Sequence, residues 1–246
     1  MRVLELFSGT GSVKKVCDKL QWESVSVDMI LPADHQVDIM EFDYKQYPKD
    51  YFDIVWASPP CTNYSALKKC WYGRKLKDGT IYSKEQNDID QNEADKLVLK
   101  SFEIIEYFNP KLWFLENPQT GNLKNREIMK DKPFYDVDYC MYSDWGYKKR
   151  TRIWTNKKEF NNKLCDGSGS CGNMIEIEDG KRHLHKTNCG NTEKIKAVRQ
   201  HIKSLDNGYE MIDGKNQPKD LKFLGKGTNR IDRYRVPEQL IMDLLQ

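Results

Sequence analysis

Two short turns and one cluster of this chain combine residue types that can do chemistry. The first turn is Phe7-Ser8-Gly9-Thr10-Gly11-Ser12. Glycines let the backbone bend sharply and let a ligand approach closely. Asp28 follows 17 residues after Gly11, and a carboxylate there can accept both hydroxyls of a ribose. Lys14 stands where G-x-G-x-x-G needs its third glycine, and no G-x-x-x-x-G-K-[S/T] loop is present. A single-ribose cofactor therefore suits the turn better than a pyrophosphate one. The plain alternative is a tight strand-to-helix connection. The second turn is Ser58-Pro59-Pro60-Cys61. Two prolines stiffen the exit from a strand. A cysteine held at the carboxyl edge of an open α/β sheet sits where such sheets bind substrates. A buried structural thiol is the alternative there.

The cluster is Cys165, Cys171, His183, His185 and Cys189. Three cysteines and two histidines can supply one tetrahedral zinc site. Their spacing is not that of a standard finger, although Gly167, Gly169, Gly172 and Gly190 allow the necessary turns. Unligated polar loops are the competing reading, with Lys181, Arg182 and Lys186 as phosphate contacts. A zinc ion here would stiffen the chain, so no metal is assigned to a reaction.

The elements that must position these residues are legible from apolar runs and their stops. Val3-Leu4-Glu5-Leu6-Phe7 reads as a buried strand feeding the glycine turn, and a helix follows from Val13 to Leu20. Ser24 to Asp28, Phe52 to Ala57, Lys111 to Leu115 and Arg152 to Trp154 read as further strands. The apolar residues Leu97, Val98, Phe102, Ile105 and Phe108 predict a helix face over 93–108. Residues 66–91, rich in Lys, Asp, Asn and Gly, read as a long mobile loop. Strands alternating with helices predict an α/β fold with a parallel or mixed sheet. The rhythm is lost over residues 156–228, where a small second lobe is expected.

Composition narrows the classes. The 6 Trp, 13 Tyr and 9 Phe argue against a disordered chain. No apolar run is long enough for a transmembrane helix, and Gly and Ser come too early for a signal-peptide core. Seven scattered cysteines are not a disulfide framework, so a reducing, intracellular compartment is expected. The net charge of +3 is uneven: −1 over residues 1–154 and +6 over 155–235. That asymmetry suggests a core plus a part that faces a polyanion.

Leu6-Phe7-Ser8-Gly9-Thr10-Gly11, then Pro59-Pro60-Cys61 with Tyr64-Ser65, then Glu116-Asn117, then Arg150-Thr151-Arg152 occur in that order. This ordered set resembles the DNA (cytosine-5)-methyltransferase family, in a short form like that of viral or phage enzymes. The resemblance implies a Rossmann-like, S-adenosylmethionine-dependent methyltransferase sheet with a small irregular recognition lobe. Residues 1–155 would be the catalytic domain, 156–228 the target-recognition lobe, and 229–246 a C-terminal helix returning to the catalytic domain.

It also implies roles for residues. Cys61 would add to carbon 6 of cytosine, making carbon 5 enamine-like and able to take a methyl group. Glu116, best protonated, would hold ring nitrogen 3 and the exocyclic amine. Arg152 would bind the ring carbonyl, with Arg150 near the nucleophile. Phe7, Ser8, Gly9, Thr10, Gly11 and Ser12 would line the cofactor, with Asp28 on its ribose and Met29 against its adenine. Asp38-Ile39 would meet the adenine amino group, and Pro60 would touch the cofactor near the nucleophile. The partner would be double-stranded DNA with the target base flipped out, and the enzyme a monomer with no membrane contact.

The sequence also departs from the family pattern. Thr62 follows the nucleophile in place of Gln, Pro118 replaces Val, and Lys148 or Lys149 stands for the Gln before the arginines. The Gly-Asn segment that completes the family's cofactor pocket is Arg233-Tyr234-Arg235-Val236-Pro237-Glu238 here. The same chemistry on RNA or a free nucleotide stays open, as does a non-catalytic nucleic-acid-binding module of the same fold. Intact Cys61, Glu116 and Arg152 weigh against the latter, because a binding module needs no thiol there.

Overall fold

A computed structural model describes residues 1–177, 182–185, 209–212, 215–218 and 234–246. Contacts divide the chain into two units. The first comprises Met1–Val137, Arg150–Asn162 and Ile241–Gln246; the second comprises Asp138–Lys149 and Lys163–Leu240. The first unit is therefore discontinuous in sequence.

The first unit is built on seven strands: β1 (Arg2–Leu6), β2 (Glu23–Asp28), β3 (His35–Gln36), β4 (Ile54–Ala57), β5 (Leu112–Pro118), β6 (Phe134–Asp138) and β7 (Arg150–Thr155). The last residue of β6, Asp138, is the first of the second unit. Among the described residues they form one sheet in the order β3-β2-β1-β4-β5-β7-β6. β1 runs parallel to β2 and β4, β4 parallel to β5, and β7 antiparallel to β5. The mixed α/β sheet expected from the sequence is present. The strand order reverses between β1 and β4. In open α/β sheets that switch point opens a crevice at the carboxyl ends of the strands. The glycine turn leaves β1 there and the Pro-Pro-Cys turn leaves β4 there.

Central parallel strands are covered on both faces and read as continuous apolar runs. Val3, Leu4, Leu6, Ile54, Val55 and Ala57 are all fully buried. Glu5 breaks the run and is also buried. Its carboxylate accepts hydrogen bonds from the amides of Val13 and Lys14, both at 3.1 Å. Those amides belong to the first turn of helix α1 (Ser12–Leu20). A helix start leaves its first amides without intrahelical partners. The residue before α1 is Gly11, which has no side chain to cap them, so a carboxylate from the neighbouring strand does so.

Helix α2 (Lys84–Phe108) begins nine residues before the apolar periodicity that predicts it. Ser83 caps it by accepting from the Gln86 amide, and Asn109, in the left-handed region at φ 43°, ends it ahead of Pro110. The early turns bury Asn87, Gln91 and Asp95, spaced four apart, so the inward stripe is polar. The loop expected over 66–91 is corrected accordingly. Residues Ala66–Trp71 form 3-10 turns, Lys75 and Ile81 form a bridge, and the helix starts at Lys84. Later turns bury Val98, Ile104, Ile105 and Phe108, with the Phe108 and Phe52 rings edge to face at 4.9 Å.

The second unit contains two antiparallel pairs, β8 (Met174–Ile177) with β9 (Arg182–His185) and β10 (Tyr209–Ile212) with β11 (Lys215–Pro218). Helix α3 (Glu238–Leu245) follows; its residues from Ile241 onward belong to the first unit. No helix among the described residues is long and apolar enough to cross a membrane.

Burial pushes the Glu5 carboxyl up to about 7, against the opposing pull of the Val13 and Lys14 amides and the Lys14 and Lys15 charges. Between the ordinary 4.5 and about 7 the folded chain holds this proton more tightly than the unfolded chain does. The associated stability is present at low pH and is lost as pH rises through that window, by about 3 kcal/mol. Urea unfolding across the window should show wild-type stability falling relative to Glu5→Gln. A pH-independent difference between the two would contradict this.

Candidate active site

The site is assembled at the carboxyl edges of β1, β2, β4 and β5, all in the first unit. The turn after β1 is tight. Phe7, Gly9 and Gly11 all adopt positive φ, at 57°, 53° and 65°. For Phe7 such a conformation is strained, and surrounding bonds must hold it. The Ser8 amide donates to the Val27 carbonyl at 3.0 Å, and the Gly11 amide to the Ser8 carbonyl at 2.8 Å. A Cβ built on Gly11 meets only the Lys14 Cβ, at 3.9 Å, so the backbone angle rather than space requires glycine there.

Asp28, at the end of β2, binds the turn directly. Its Oδ2 accepts from the Gly9 amide at 2.8 Å, and its Oδ1 from the Ile30 and Leu31 amides at 2.8 and 2.7 Å. Three of about four lone-pair sites are thus engaged with backbone. The structure brings Asp28 to the glycine turn as expected, with a positioning task beyond any contact to a ribose. Met29 and Ile30 next to it are 58% and 72% exposed, an unusual display of apolar surface at a sheet edge. Asp38 caps its own loop by accepting from the Met40 amide, and Ile39 is buried. Ser8 is buried, while Thr10 and Ser12 hydroxyls lie 3.3 Å apart.

Cys61 is partly exposed and opens a 3-10 turn over Thr62–Tyr64. Pro59 is buried and Pro60 exposed. The Asn117 side-chain amide, fully buried, donates to the Pro59 carbonyl at 2.9 Å. This bond ties the exit of β4 to the end of β5, where Glu116 is also buried. The register pairs Ala57 with Leu115, so Glu116 lies one residue past the last paired position. Cys61 and Glu116 are therefore placed at the same edge of adjacent parallel strands. On the other side of β5, the register pairs Arg152 of β7 with Asn117. The Arg152 guanidinium is held in a bidentate pair with Asp136 at 2.7 and 2.9 Å and lies 3.5 Å over the Phe134 ring. Arg150 begins β7 and is partly buried.

A further group of residues holds the Cys61 turn, and the sequence alone did not mark most of them. The Tyr64 hydroxyl donates to Asp95 at 2.8 Å, and Arg126 pairs with the same carboxylate at 2.5 and 2.8 Å. Lys68, buried, donates to Asn63 at 2.8 Å and to Asp90 at 2.6 Å, while Asn63 donates to the Asp90 carbonyl. Tyr82 and Gln86 also donate to Asp90. Burial would raise the Asp90 pKa, but these bonds outweigh it and hold the carboxyl below its ordinary value. Burial first, and then the bond to Asp95, push the Tyr64 phenol up, so it stays a donor. The only signal in the sequence was a spacing of four between polar residues in what looked like a loop.

The zinc-capable residues belong to the second unit. Cys165, Cys171 and His185 come together in the second unit with Cys140, which the sequence reading did not include. The side chain of His183 and all of Cys189 lie outside the described residues.

A strand-order switch point with a glycine turn leaving one strand and a partly exposed cysteine following the next places the chain in the Rossmann-like α/β class. The model of C-5 cytosine-specific DNA methylases matches residues 1–132. A probable DNA (cytosine-5)-methyltransferase of Frog virus 3 (isolate Goorha) is 38% identical over 247 residues, covering 100% of this chain and 99% of the relative. The chain belongs to the C-5 cytosine-specific DNA methylase family. Among solved structures, the Entamoeba histolytica methyltransferase EhMeth matches at 16% identity, over 67% of this chain and 55% of its own, with a TM-score of 0.44. The S. pombe Dnmt2 methyltransferase matches at 12%, over 69% and 53%, with a TM-score of 0.36. The chain spans about half the length of these solved structures.

Removing Asp95 strands the Tyr64 hydroxyl and leaves Arg126 its bond to Asn92. Asp95→Ala should cost about 2–3 kcal/mol in urea unfolding, less than for a fully buried ion pair because the Arg126 side chain of this pair is 22% exposed. Tyr64→Phe leaves that pair intact and should cost only about 1 kcal/mol. Equal losses in the two variants would show that Asp95 does not organise this loop.

Proposed function

We propose that this protein transfers a methyl group from S-adenosylmethionine to carbon 5 of cytosine in double-stranded DNA. The observation that carries the reading is the bond from Asn117 to the Pro59 carbonyl, which holds Cys61 and Glu116 at neighbouring strand ends. The residues present also fit the cofactor. Glu5 already fills the first amides of α1, so the helix start that binds phosphate in dinucleotide enzymes is closed to an anion. A ribose and adenine without phosphate meet no such obstacle, and exposed Met29 and Ile30 offer apolar surface for a base. Phe7, Ser8, Gly9, Thr10, Gly11 and Ser12 would hold the methionine end, with Asp28, Met29, Asp38, Ile39 and Pro60 around the rest. When bound, the cofactor supplies an electrophilic methyl group on a sulfonium.

The chain's own residues do the remainder. The Cys61 thiolate donates an electron pair to form a bond to carbon 6, which makes carbon 5 nucleophilic. Glu116 donates to ring nitrogen 3 and accepts from the exocyclic amine, so electron density is drawn into the ring as the bond forms. Arg150 and Arg152 would complete the hold on the ring as the family resemblance implies, with one edge of the Arg152 guanidinium held by Asp136 and one face against Phe134. Once carbon 5 has been substituted it loses its proton, the carbon 6–sulfur bond breaks, and the electron pair returns to Cys61. Carbon 6 is inaccessible in a stacked duplex, so the base must leave the stack. The excess positive charge over residues 155–235 suits a phosphate backbone.

DNA carrying 5-fluorocytosine has no proton at carbon 5 to lose, so wild-type protein should be trapped as a covalent adduct. Cys61→Ser should form none, because a hydroxyl ionises far less readily than a thiol. Glu116→Gln should slow turnover by roughly a hundredfold or more with cofactor affinity preserved. Mass spectrometry mapping the adduct to Cys17, Cys70 or Cys140 would overturn the assignment, and an adduct on RNA alone would change the substrate.

Calorimetry tests the cofactor half separately. Asp28→Ala should weaken S-adenosylmethionine binding by about 1–3 kcal/mol, through loss of a charge-assisted bond and of the support that Asp28 gives Gly9. Unchanged affinity would place the cofactor elsewhere.

A further inference from the structure

Cys140, Cys165, Cys171 and His185 each offer one ligand atom, and these atoms all lie within 4.8 Å of one another. The His185 Nε2 is 3.7 Å from the sulfur of Cys165 and 3.7 Å from that of Cys171. With zinc–sulfur bonds near 2.3 Å and zinc–nitrogen bonds near 2.0 Å, a tetrahedral site requires a sulfur–nitrogen separation of about 3.5 Å. Cys140 and Cys165 are buried, at 1% and 4% exposure, and Cys171 and His185 are partly so. All four belong to the second unit, and they come from three separate stretches of chain.

The backbone around the four is fixed by polar side chains. Asn173, 4% exposed, donates through one amide nitrogen to the carbonyls of Cys140, Ser143 and Cys171 at 2.8, 2.7 and 3.0 Å. Its Oδ1 accepts from the Gly146 amide at 2.9 Å. Asp138, fully buried, accepts from the Cys165 amide at 2.8 Å, and Lys148 donates to the Cys165 carbonyl at 2.8 Å. Gly167 and Gly169 take positive φ of 86° and 96° between Cys165 and Cys171, and Gly172, just beyond, takes 69°. Outer partners of this kind orient ligands in metal sites.

We propose that Cys140, Cys165, Cys171 and His185 bind one structural zinc ion in a closed tetrahedral set of three thiolates and one imidazole. Three soft thiolates with one imidazole select zinc over hard cations such as magnesium or calcium. Four protein ligands leave no open position, so the ion takes no part in methyl transfer. Binding releases the three thiol protons to solvent and forms three zinc–sulfur bonds and one zinc–nitrogen bond. The ion joins His185, at the end of β9, to the Cys140 segment and the Cys165–Cys171 loop. The inference does not rest on the methyltransferase reading, because its four ligands all belong to the second unit, while Cys61, Glu116 and the glycine turn belong to the first.

The test is metal analysis of the full-length protein purified with zinc in the medium, followed by exchange for cobalt(II). One zinc per chain is expected, with an intense cobalt spectrum showing thiolate charge transfer and tetrahedral coordination. Asn173→Ala should weaken zinc binding by roughly the 10–100-fold that loss of an outer partner costs, and Cys140→Ser should weaken it further. Cys189→Ser and His183→Ala should keep full stoichiometry and affinity. Chelation should lower the thermal stability of the chain while calorimetry still detects S-adenosylmethionine binding. A zinc-free wild-type chain, a weak octahedral cobalt spectrum or a disulfide among these cysteines would overturn the proposal. So would full zinc binding by Cys140→Ser combined with its loss in Cys189→Ser.

Discussion

Asp95 is a carboxylate largely withdrawn from water, and the placement of the Cys61 turn depends on what keeps it there. A buried charge is costly unless it is paired and hydrogen-bonded. Arg126 supplies the pairing and Tyr64 a further donor. Tyr64 lies three residues beyond Cys61, so neutralising the carboxylate also fixes the turn that carries the thiol. Asp90 repeats the arrangement one turn earlier on α2 with Lys68, Tyr82 and Gln86. Helix α2 thus acts as a rail of acceptors. Its polar half holds the reactive loop, and its apolar half holds the sheet.

Carboxylates do similar work on the cofactor side. Glu5 satisfies the start of α1, and Asp28 satisfies Gly9 and the loop after β2. In each case an acidic side chain on one strand completes backbone that glycine leaves without a side-chain partner. The glycine turn keeps its shape through these two residues as much as through its own φ angles. They also decide which ligands the edge accepts, since the Glu5 carboxyl already occupies the amides a phosphate would seek.

The sheet, and the turns that carry the candidate residues, were legible because they obey simple rules. Apolar runs ending at Gly, Pro or Asn mark β1, β4 and β5, and the candidate residues Gly9, Cys61 and Glu116 lie at or just beyond those stops. The early part of α2 was hidden because Asn87, Gln91 and Asp95 face inward, so hydrophobic periodicity does not reveal the helix. β3, with two residues, and β6, reading Phe-Tyr-Asp-Val-Asp, are too short or too polar to be seen as strands. Cys140 escaped grouping with Cys165 and Cys171 because it lies 25 residues upstream, and only the fold of the second unit brings it near. The pairing of Arg152 with Asp136 was invisible for the same reason: β6 had not been recognised.

The discontinuity of the first unit bears on how the chain is made. Its closing segment, Ile241–Gln246, is translated after every residue of the second unit. Leu244 and Leu245 at that end are buried, so the first unit lacks part of its packing until synthesis has passed them. Domains generally fold in order of emergence from the ribosome. Here the earliest-made strands must wait, partly open, while the second unit emerges and forms. A chain released early, or stalled within the second unit, would expose unfinished core to chaperones and proteases. Ile241–Gln246 thus completes the packing of a unit whose glycine turn and Cys61 turn are made long before it.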